Sequence, residues 1–275
     1  MRPVITEAER QVDFSDLFFK PMAPVDLDLL KIMDQSPVDS GKATSIQNRN
    51  DILKPGYLEV ENGYCRMPDG SGFVATKVEM PGVTPEMVDW WFSWHGLQDL
   101  RYKVWCPTQH YGIHVKEEDL RHRLDYSLDL RERSWGTTDV ATEDVGGGPQ
   151  EMYLTFLSPE AYGYERDLIQ NVDTIISANV TDPKTGTGLI TFSHVIRRIP
   201  GGIEYRSHYW QGYQVNERGE AVATSVPPQG FPIEIMKGCA YHSLDEYHNL
   251  ADILPRLYEM YKDRLDKVED YLSRS

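Results

Sequence analysis

Cysteine is scarce in this chain. Of 275 residues only three are cysteines (Cys65, Cys106 and Cys239), and none belongs to a Cys-x-x-Cys pair. An odd, scattered set excludes a disulfide framework and points to a reducing, cytoplasmic compartment. Basic residues are also outnumbered: 28 Lys and Arg face 43 Asp and Glu, a formal net charge of −15. Such a chain lacks the basic patch that releases counterions from phosphates, which excludes nucleic acid as a partner. Docking on an anionic membrane is disfavoured for the same reason. No apolar run approaches the roughly 20 residues of a membrane-spanning helix, and the stretch Met1 to Arg10 has no apolar signal core. Internal repeats and low-complexity tracts are missing too. What remains, 40% hydrophobic and 26% charged, is a globular composition with enough chain for one large core.

Residues 1–55 are expected to form an N-terminal helical arm or subdomain, with one helical pattern at 25–33 and a polar linker or surface loop at 34–51. The main domain then spans 56–275. Asn62-Gly63 lies between the apolar runs 57–60 and 64–67 and predicts a hairpin. The alternation over 72–80 predicts a strand. Thr84-Pro85-Glu86 supplies an N-cap, a first-turn proline and a first-turn acid for a helix over 85–95. Trp90, Trp91, Phe92 and Trp94 require that helix to be buried. Residues 100–105 read as a strand and 116–133 as charged surface. Strands follow at 151–157, 174–180, 188–199 and 202–215, the last two joined through Pro200-Gly201-Gly202. A long helical segment from about Ala240 to Leu272, with Pro255 marking a kink or restart, closes the chain. This order predicts an α+β fold, an antiparallel sheet curved around a helix with a cavity between them.

The last helix contains His242-x-x-x-Glu246. Four residues are a little over one turn, so both side chains point the same way, offset by about 40°. An imidazole nitrogen and a carboxylate oxygen so placed can grip one metal ion. Zinc accepts such ligands, and catalytic zinc sites keep a position open for water. Taken alone the pair is commonplace on solvated helices, but Cys239, Ala240, Leu244, Leu250, Ile253 and Leu254 give this segment an apolar stripe, so it packs on something. His110, following Trp105-Cys106-Pro107-Thr108-Gln109, and Glu143, in Thr142-Glu143-Asp144, are candidate partners. His110 also reads plainly as a loop histidine in solvent, and Glu143 as a solvated carboxylate beside a turn. Alternation puts His194 on one strand face with Phe192 and Ile196, either as a satisfied core histidine or as a cavity-facing acid/base. Tyr102 and Tyr209 sit mid-strand in aromatic-rich runs, where core packing is the default. Facing a cavity, their hydroxyls can bind phenolic or carbonyl oxygens.

The motifs Trp90-Trp91-Phe92-Ser93-Trp94-His95-Gly96 and Leu100-Arg101-Tyr102-Lys103-Val104-Trp105-x-Pro107-x-x-His110 are followed in order by four others. These are Glu143-Asp144-Val145-Gly146-Gly147, His194-Val195-Ile196-Arg197, the run from Gly201 to Gly212, and His242-x-x-x-Glu246. Together, over about residues 56–255, they resemble the 2,4-diacetylphloroglucinol hydrolase family, which includes phloretin hydrolase. The resemblance implies a Bet v 1-like helix-grip fold, a zinc ion, and hydrolysis of the carbon–carbon bond between an acyl group and a polyhydroxylated phenolic ring. A phloroglucinol and a carboxylic acid are released.

Carried over by motif, the implied zinc ligands are His110, Glu143, His242 and Glu246, with Glu143 also the candidate mobile ligand and base. The implied substrate-facing groups are Tyr102, His194 and Tyr209. Ile113 stands where the family carries an amide that touches the substrate, so an apolar or larger acyl arm is expected to be preferred. The implied partner is a small phenolic ketone, and a homodimer is an assembly this leaves open. Two other readings compete: a non-catalytic Bet v 1-like carrier of hydrophobic ligands, and a zinc esterase. A carrier has no need of His110, Glu143, His242 and Glu246 together.

Overall fold

The computed structural model describes residues 3–268 and 271. Its centre is one antiparallel sheet of eight strands: β1 (Gly63–Arg66), β2 (Gly72–Pro81), β3 (His110–Val115), β4 (Thr138–Glu143), β5 (Gln150–Leu157), β6 (Thr174–Thr181), β7 (Gly188–Ile199) and β8 (Gly202–Gln211). The order across the sheet is β1-β2-β8-β7-β6-β5-β4-β3. All neighbours are consecutive in sequence except β2 and β8, so the early β1–β2 pair joins the sheet through the last long strand. A short ribbon pairs β9 (Tyr213–Val215) with β10 (Ala221–Ala223).

Among the described residues, eight α-helices surround the sheet: α1 (Glu7–Arg10), α2 (Asp16–Phe19), α3 (Leu27–Met33), α4 (Pro85–Trp94), α5 (Asp99–Lys103), α6 (Leu120–Arg123), α7 (Arg166–Ile169) and the 29-residue α8 (Ile233–Tyr261). Helix α4 starts as its sequence predicts, with the Thr84 hydroxyl accepting from the Met87 N–H. At about 1.5 Å per residue α8 is roughly 43 Å long, enough to cross the sheet.

Strand alternation gives the sheet two different faces. On β8, Ile203, Tyr205 and Tyr209 join Val74, Phe192 and Ile196 under Leu244, Tyr247, Leu250 and Leu254 of α8, forming the main core. Trp210 points the other way, with Phe73, Ile175 and Val195, and is covered by Ile46, Ile52 and Leu53. This is the helix-grip arrangement of sheet and long C-terminal helix that the resemblance implies. The arm serves both faces: Phe14, Leu17, Phe18 and Met33 enter the main core, where the Phe14 ring lies 5.7 Å from Trp94 and 5.4 Å from Tyr261. No helix among the described residues is long and apolar enough to cross a membrane.

The structure corrects several local expectations. Residues 57–60 form no strand, and no hairpin closes at Asn62-Gly63. The Asn62 side chain accepts from the Lys77 N–H at 2.8 Å, and β1 turns back on β2 through Asp69-Gly70, where Gly70 takes φ +86°. Two turn signals competed, and the one whose following strand pairs with β8 prevailed. Residues 99–103 are helical rather than extended. Their apolar residues fit either period, and packing decides: Leu100, Tyr102 and Trp105 all enter the core from the helical turn. The charged stretch 116–133 is not all surface, because Leu120, Arg123 and Leu124 are buried. Helix α8 begins at Ile233 and ends at Tyr261, with Pro255 inside it. Residues 262–268 are not helical, and the expected end at Leu272 lies outside the described residues. The strand expected over 202–215 is broken at Gly212, φ +86°.

Candidate functional site

The His242/Glu246 pair on α8 faces the sheet, and both residues are buried. Opposite them, two neighbouring strand ends supply the other donors. His110 opens β3 and Glu143 ends β4, and the two are paired across the ladder. His110 is therefore the first residue of a strand, not a loop residue past one. Four N···O separations define the cluster. His110 Nε2 lies 3.6 Å from Glu143 Oε2 and 3.6 Å from Glu246 Oε2. His242 Nε2 lies 3.7 Å and 3.8 Å from the same two oxygens. A tetrahedral ion with bonds of about 2.0–2.2 Å has ligand–ligand edges of roughly 3.3–3.6 Å, so modest closure brings these atoms to bonding distance.

The far nitrogens show which way the lone pairs face. His110 Nδ1 is 3.0 Å from the Tyr102 carbonyl oxygen, an acceptor, so Nδ1 carries the proton and Nε2 presents its lone pair to the cluster. That Nε2 is buried and has no hydrogen-bond partner. His242 Nδ1 sits 2.9 Å from Gln109 Oε1. Burial first, and the neighbouring His242 second, hold the His110 pKa well below the ordinary imidazole value. Burial likewise lowers His242, though Glu143 opposes it. Burial, then repulsion from Glu143, pushes Glu246 well above the usual carboxylate range. Two neutral imidazoles thus turn lone pairs toward two carboxylates. That arrangement is unfavourable unless a proton or a cation sits between them. A dication would balance both acids. Cys106 adds a third soft donor, forming with His110 and His242 a buried group whose ligand atoms lie within 4.8 Å of one another. Burial pushes the Cys106 thiol up to about 12, and its sulfur lies 3.3 Å from Gln109 Oε1. The group is compatible with a metal site.

The surrounding elements hold the cluster rigidly. The Tyr102 ring stacks on His110 at 3.7 Å and 7°, and His95 and Trp91 continue the stack behind it. Tyr102 belongs to α5, not to a strand, and its hydroxyl donates to Glu143 Oε2. Trp105 Nε1 donates to the Glu246 carbonyl at 3.0 Å, and Asn249 Nδ2 donates to the Val104 and Trp105 carbonyls, tying α5 to α8. The Asp144 N–H donates to the Gln109 carbonyl at 2.9 Å, which fixes the chain just after Glu143. Gly238, one turn before His242, has no room for a side chain, since a Cβ there would lie 2.4 Å from the Val145 carbonyl.

Next to the cluster on the inner face, a second polar group surrounds Tyr209. Its hydroxyl lies 2.6 Å from that of Tyr247 and 3.0 Å from Ser243 Oγ. Tyr247 reaches His194 Nε2 at 3.4 Å, and His194 Nδ1 meets Ser207 Oγ at 3.0 Å. Burial depresses the His194 pKa to about 3, so the ring is neutral at pH 7. His194 is thus a buried histidine whose two nitrogens join a chain of hydroxyls. Ile113 shares the face of His110, because a β-bulge between His110 and Gly112 shifts the register and Ile113 pairs with Ala141, two residues from Glu143. Its companions in the core include the apolar Ala141 and Met152. It also borders an open cavity of about 930 Å³ beneath the N-terminal arm, lined by Thr6, Glu9, Val12, Leu97 and Val115, which contains none of the four cluster residues.

The structure therefore brings His110, Glu143, His242, Glu246 and Tyr102 into one group and Tyr209 and His194 into an adjoining one. Gln109, Cys106 and Tyr247 were not anticipated. Tyr247 follows Glu246 on the inward stripe of α8 and was legible as a face residue. Gln109 offered only its place beside His110.

Comparison with known proteins agrees with the motifs. Residues 44–259 match the family described as the DAPG hydrolase PhiG domain. The chain is 30% identical over 263 residues to the phloretin hydrolase of Eubacterium ramulus, covering 94% of each chain. It is 29% identical over 258 residues to a 2,4-diacetylphloroglucinol hydrolase of Pseudomonas sp, covering 88% of this chain and 86% of the relative. Among solved structures it is similar to Ara h 8.0201, with a TM-score of 0.43 and 11% identity over 68% of this chain and 99% of that one.

Proposed function

The chain belongs to the DAPG hydrolase family, and from that premise we propose that it hydrolyses the carbon–carbon bond joining an acyl group to a polyhydroxylated phenolic ring. The observation that carries this reading is the convergence of two lone-pair-presenting imidazoles with two buried carboxylates. His110, Glu143, His242 and Glu246 would hold zinc. When bound, that ion polarises a carbonyl and lowers the pKa of water.

An aryl ketone does not readily release its acyl group, because a ring carbanion is a poor leaving group. A hydroxylated ring avoids this. Protonation of the acyl-bearing ring carbon gives a keto tautomer. Water then adds to the acyl carbonyl, and the C–C bond breaks with its electron pair moving into the ring as an enolate. Rearomatisation yields the phenol, and the acyl group leaves as a carboxylic acid.

The chain's own residues suit each requirement. Glu143 is the less buried of the two carboxylates and is the base for the attacking water. The Tyr102 hydroxyl, held on Glu143, and the Tyr209 hydroxyl, held by Tyr247 and Ser243, bind phenolic and carbonyl oxygens. His194 is neutral and acts through a hydrogen bond rather than as a cationic acid. Ile113, among Ala141 and Met152, makes an apolar wall that favours a larger acyl arm such as the phenylpropanoyl group of phloretin. The three free, buried cysteines suit a reducing compartment.

The test is incubation of metal-replete protein with phloretin, with mono- and diacetylphloroglucinol, and with aryl esters. Release of a phloroglucinol and a carboxylic acid from the ketones is expected. Saturable phloretin binding without turnover would instead identify a carrier, and cleavage of esters alone an esterase.

A further inference from the structure

The row of side chains that β8 turns toward α8 does not end at Tyr209. Gln211 continues it, the last residue of the strand. It is 2% exposed, yet neither its Nε2 nor its Oε1 has a hydrogen-bond partner. Nine in ten buried polar groups are satisfied, and an amide unpaired at both ends loses its hydration with no protein partner in exchange.

Its placement is built. Gln211 lies between Gly72 of β2 and Ile190 of β7 in register. A Cβ at Gly72 would stand 2.4 Å from Gln211 Oε1 and 2.7 Å from Met236 Sδ, so the missing side chain at 72 is what allows the amide to lie against α8. Met236 and Cys239 of α8 share that corner of the main core. The Cys239 thiol, pushed up chiefly by burial, is raised further by Glu143 and Glu246 and lowered by Ser243 and Gln211, which places the corner within electrostatic reach of the donor cluster. The Tyr209 hydroxyl is already engaged by Tyr247 and Ser243, whereas the Gln211 amide meets nothing stronger within the chain than the Cys239 thiol.

We propose that Gln211 is a substrate-binding, specificity-determining residue whose amide pairs with a ring hydroxyl of the polyhydroxylated phenol held between α8 and the sheet. A phenolic hydroxyl can donate to Oε1 or accept from Nε2, which a hydrocarbon ring position cannot do. The proposal rests on the aryl-ketone reading of the site, and its test is a binding measurement that stands whether or not the bond is cleaved.

Calorimetric dissociation constants for phloroglucinol and for resorcinol, which lacks one ring hydroxyl, are compared on metal-replete wild type, Gln211→Leu and Gln211→Met. Wild type should bind phloroglucinol the more tightly. In the variants phloroglucinol should weaken about 10- to 100-fold, and the ratio of the two constants should fall toward one, because resorcinol can turn its bare position toward residue 211. Metal content should not change, and Tm should hold or rise, since an unsatisfied buried amide has been removed. General loosening would weaken both ligands equally and leave the ratio alone. An unchanged ratio in both variants, or no phloroglucinol binding by wild type, overturns the proposal. Wild type that binds phloroglucinol with the expected ratio but leaves phloretin intact counts against the hydrolase reading alone.

Discussion

Arg206 and Glu61, on the outer face of the sheet, and the four donors on its inner face are all largely buried, but they obey opposite rules. Arg206 is met by Glu61 through two contacts, Nε to Oε2 at 2.8 Å and Nη2 to Oε1 at 2.6 Å, and its Nη1 donates to the Ile52 carbonyl. Each charge there is answered within the chain, as a buried pair requires. On the inner face, the groups facing Glu143 and Glu246 are neutral imidazoles and a tyrosine hydroxyl. Carboxylates gathered without a cation of the chain's own do not stabilise a fold. Their arrangement is compatible with a cation from outside, as the metal reading proposes.

The sharpest way to break this contrast is at the histidines. Wild type should contain about one divalent ion per chain, and His110→Ala and His242→Ala should each lose most of it, together with activity by about 1000-fold or more. Full metal retention in both, by elemental analysis, would remove the distinction. Arg206→Met should do the reverse: about 3–5 kcal/mol of stability lost in denaturant unfolding, because Glu61 is left unpaired, with metal content unchanged. Tyr102→Phe and Tyr209→Phe keep the rings and remove the hydroxyls. They should lower kcat/KM about 10- to 1000-fold while Tm stays near wild type, and unchanged kinetics in both would return these tyrosines to core packing.

Gln109→Leu should weaken metal affinity about 10- to 100-fold in chelator competition by releasing His242 Nδ1, with Gln109→Glu recovering most of it. Equal affinity in both would show that Gln109 does not orient His242. The smallest effect is expected at Ile113→Asn, a few-fold shift of kcat/KM from phloretin toward diacetylphloroglucinol. An unmoved ratio would place Ile113 outside the substrate's reach.

Much of the frame could be read from local pattern. The caps of α4 are written in Thr84, Pro85 and Glu86, and the strands β5 to β8 follow the alternation of their residues. The expectation failed where two patterns fit one stretch, as at Leu100 to Trp105, or where two turn signals competed, as at Asn62-Gly63 and Asp69-Gly70. In both places a long-range partner settled the matter: α8 for the first, β8 for the second.

His242 and Glu246 share a face by helical geometry alone, and their types already named N and O donors that a metal accepts. The resemblance of the ordered motifs named the other candidates. Nothing local could bring His110 and Glu143 to them. That required β3 to pair with β4, Gln109 to hold Asp144, and the α5 turn to anchor on α8 through Trp105 and Asn249. The orphaned amide of Gln211 is a tertiary fact of the same kind, since a glutamine at a strand end shows its missing partners only when Gly72 and Met236 close around it. Periodicity is a property of neighbours in sequence and can be read there. Convergence and unmet hydrogen bonds are properties of distant segments packed together, and only the folded chain decides them.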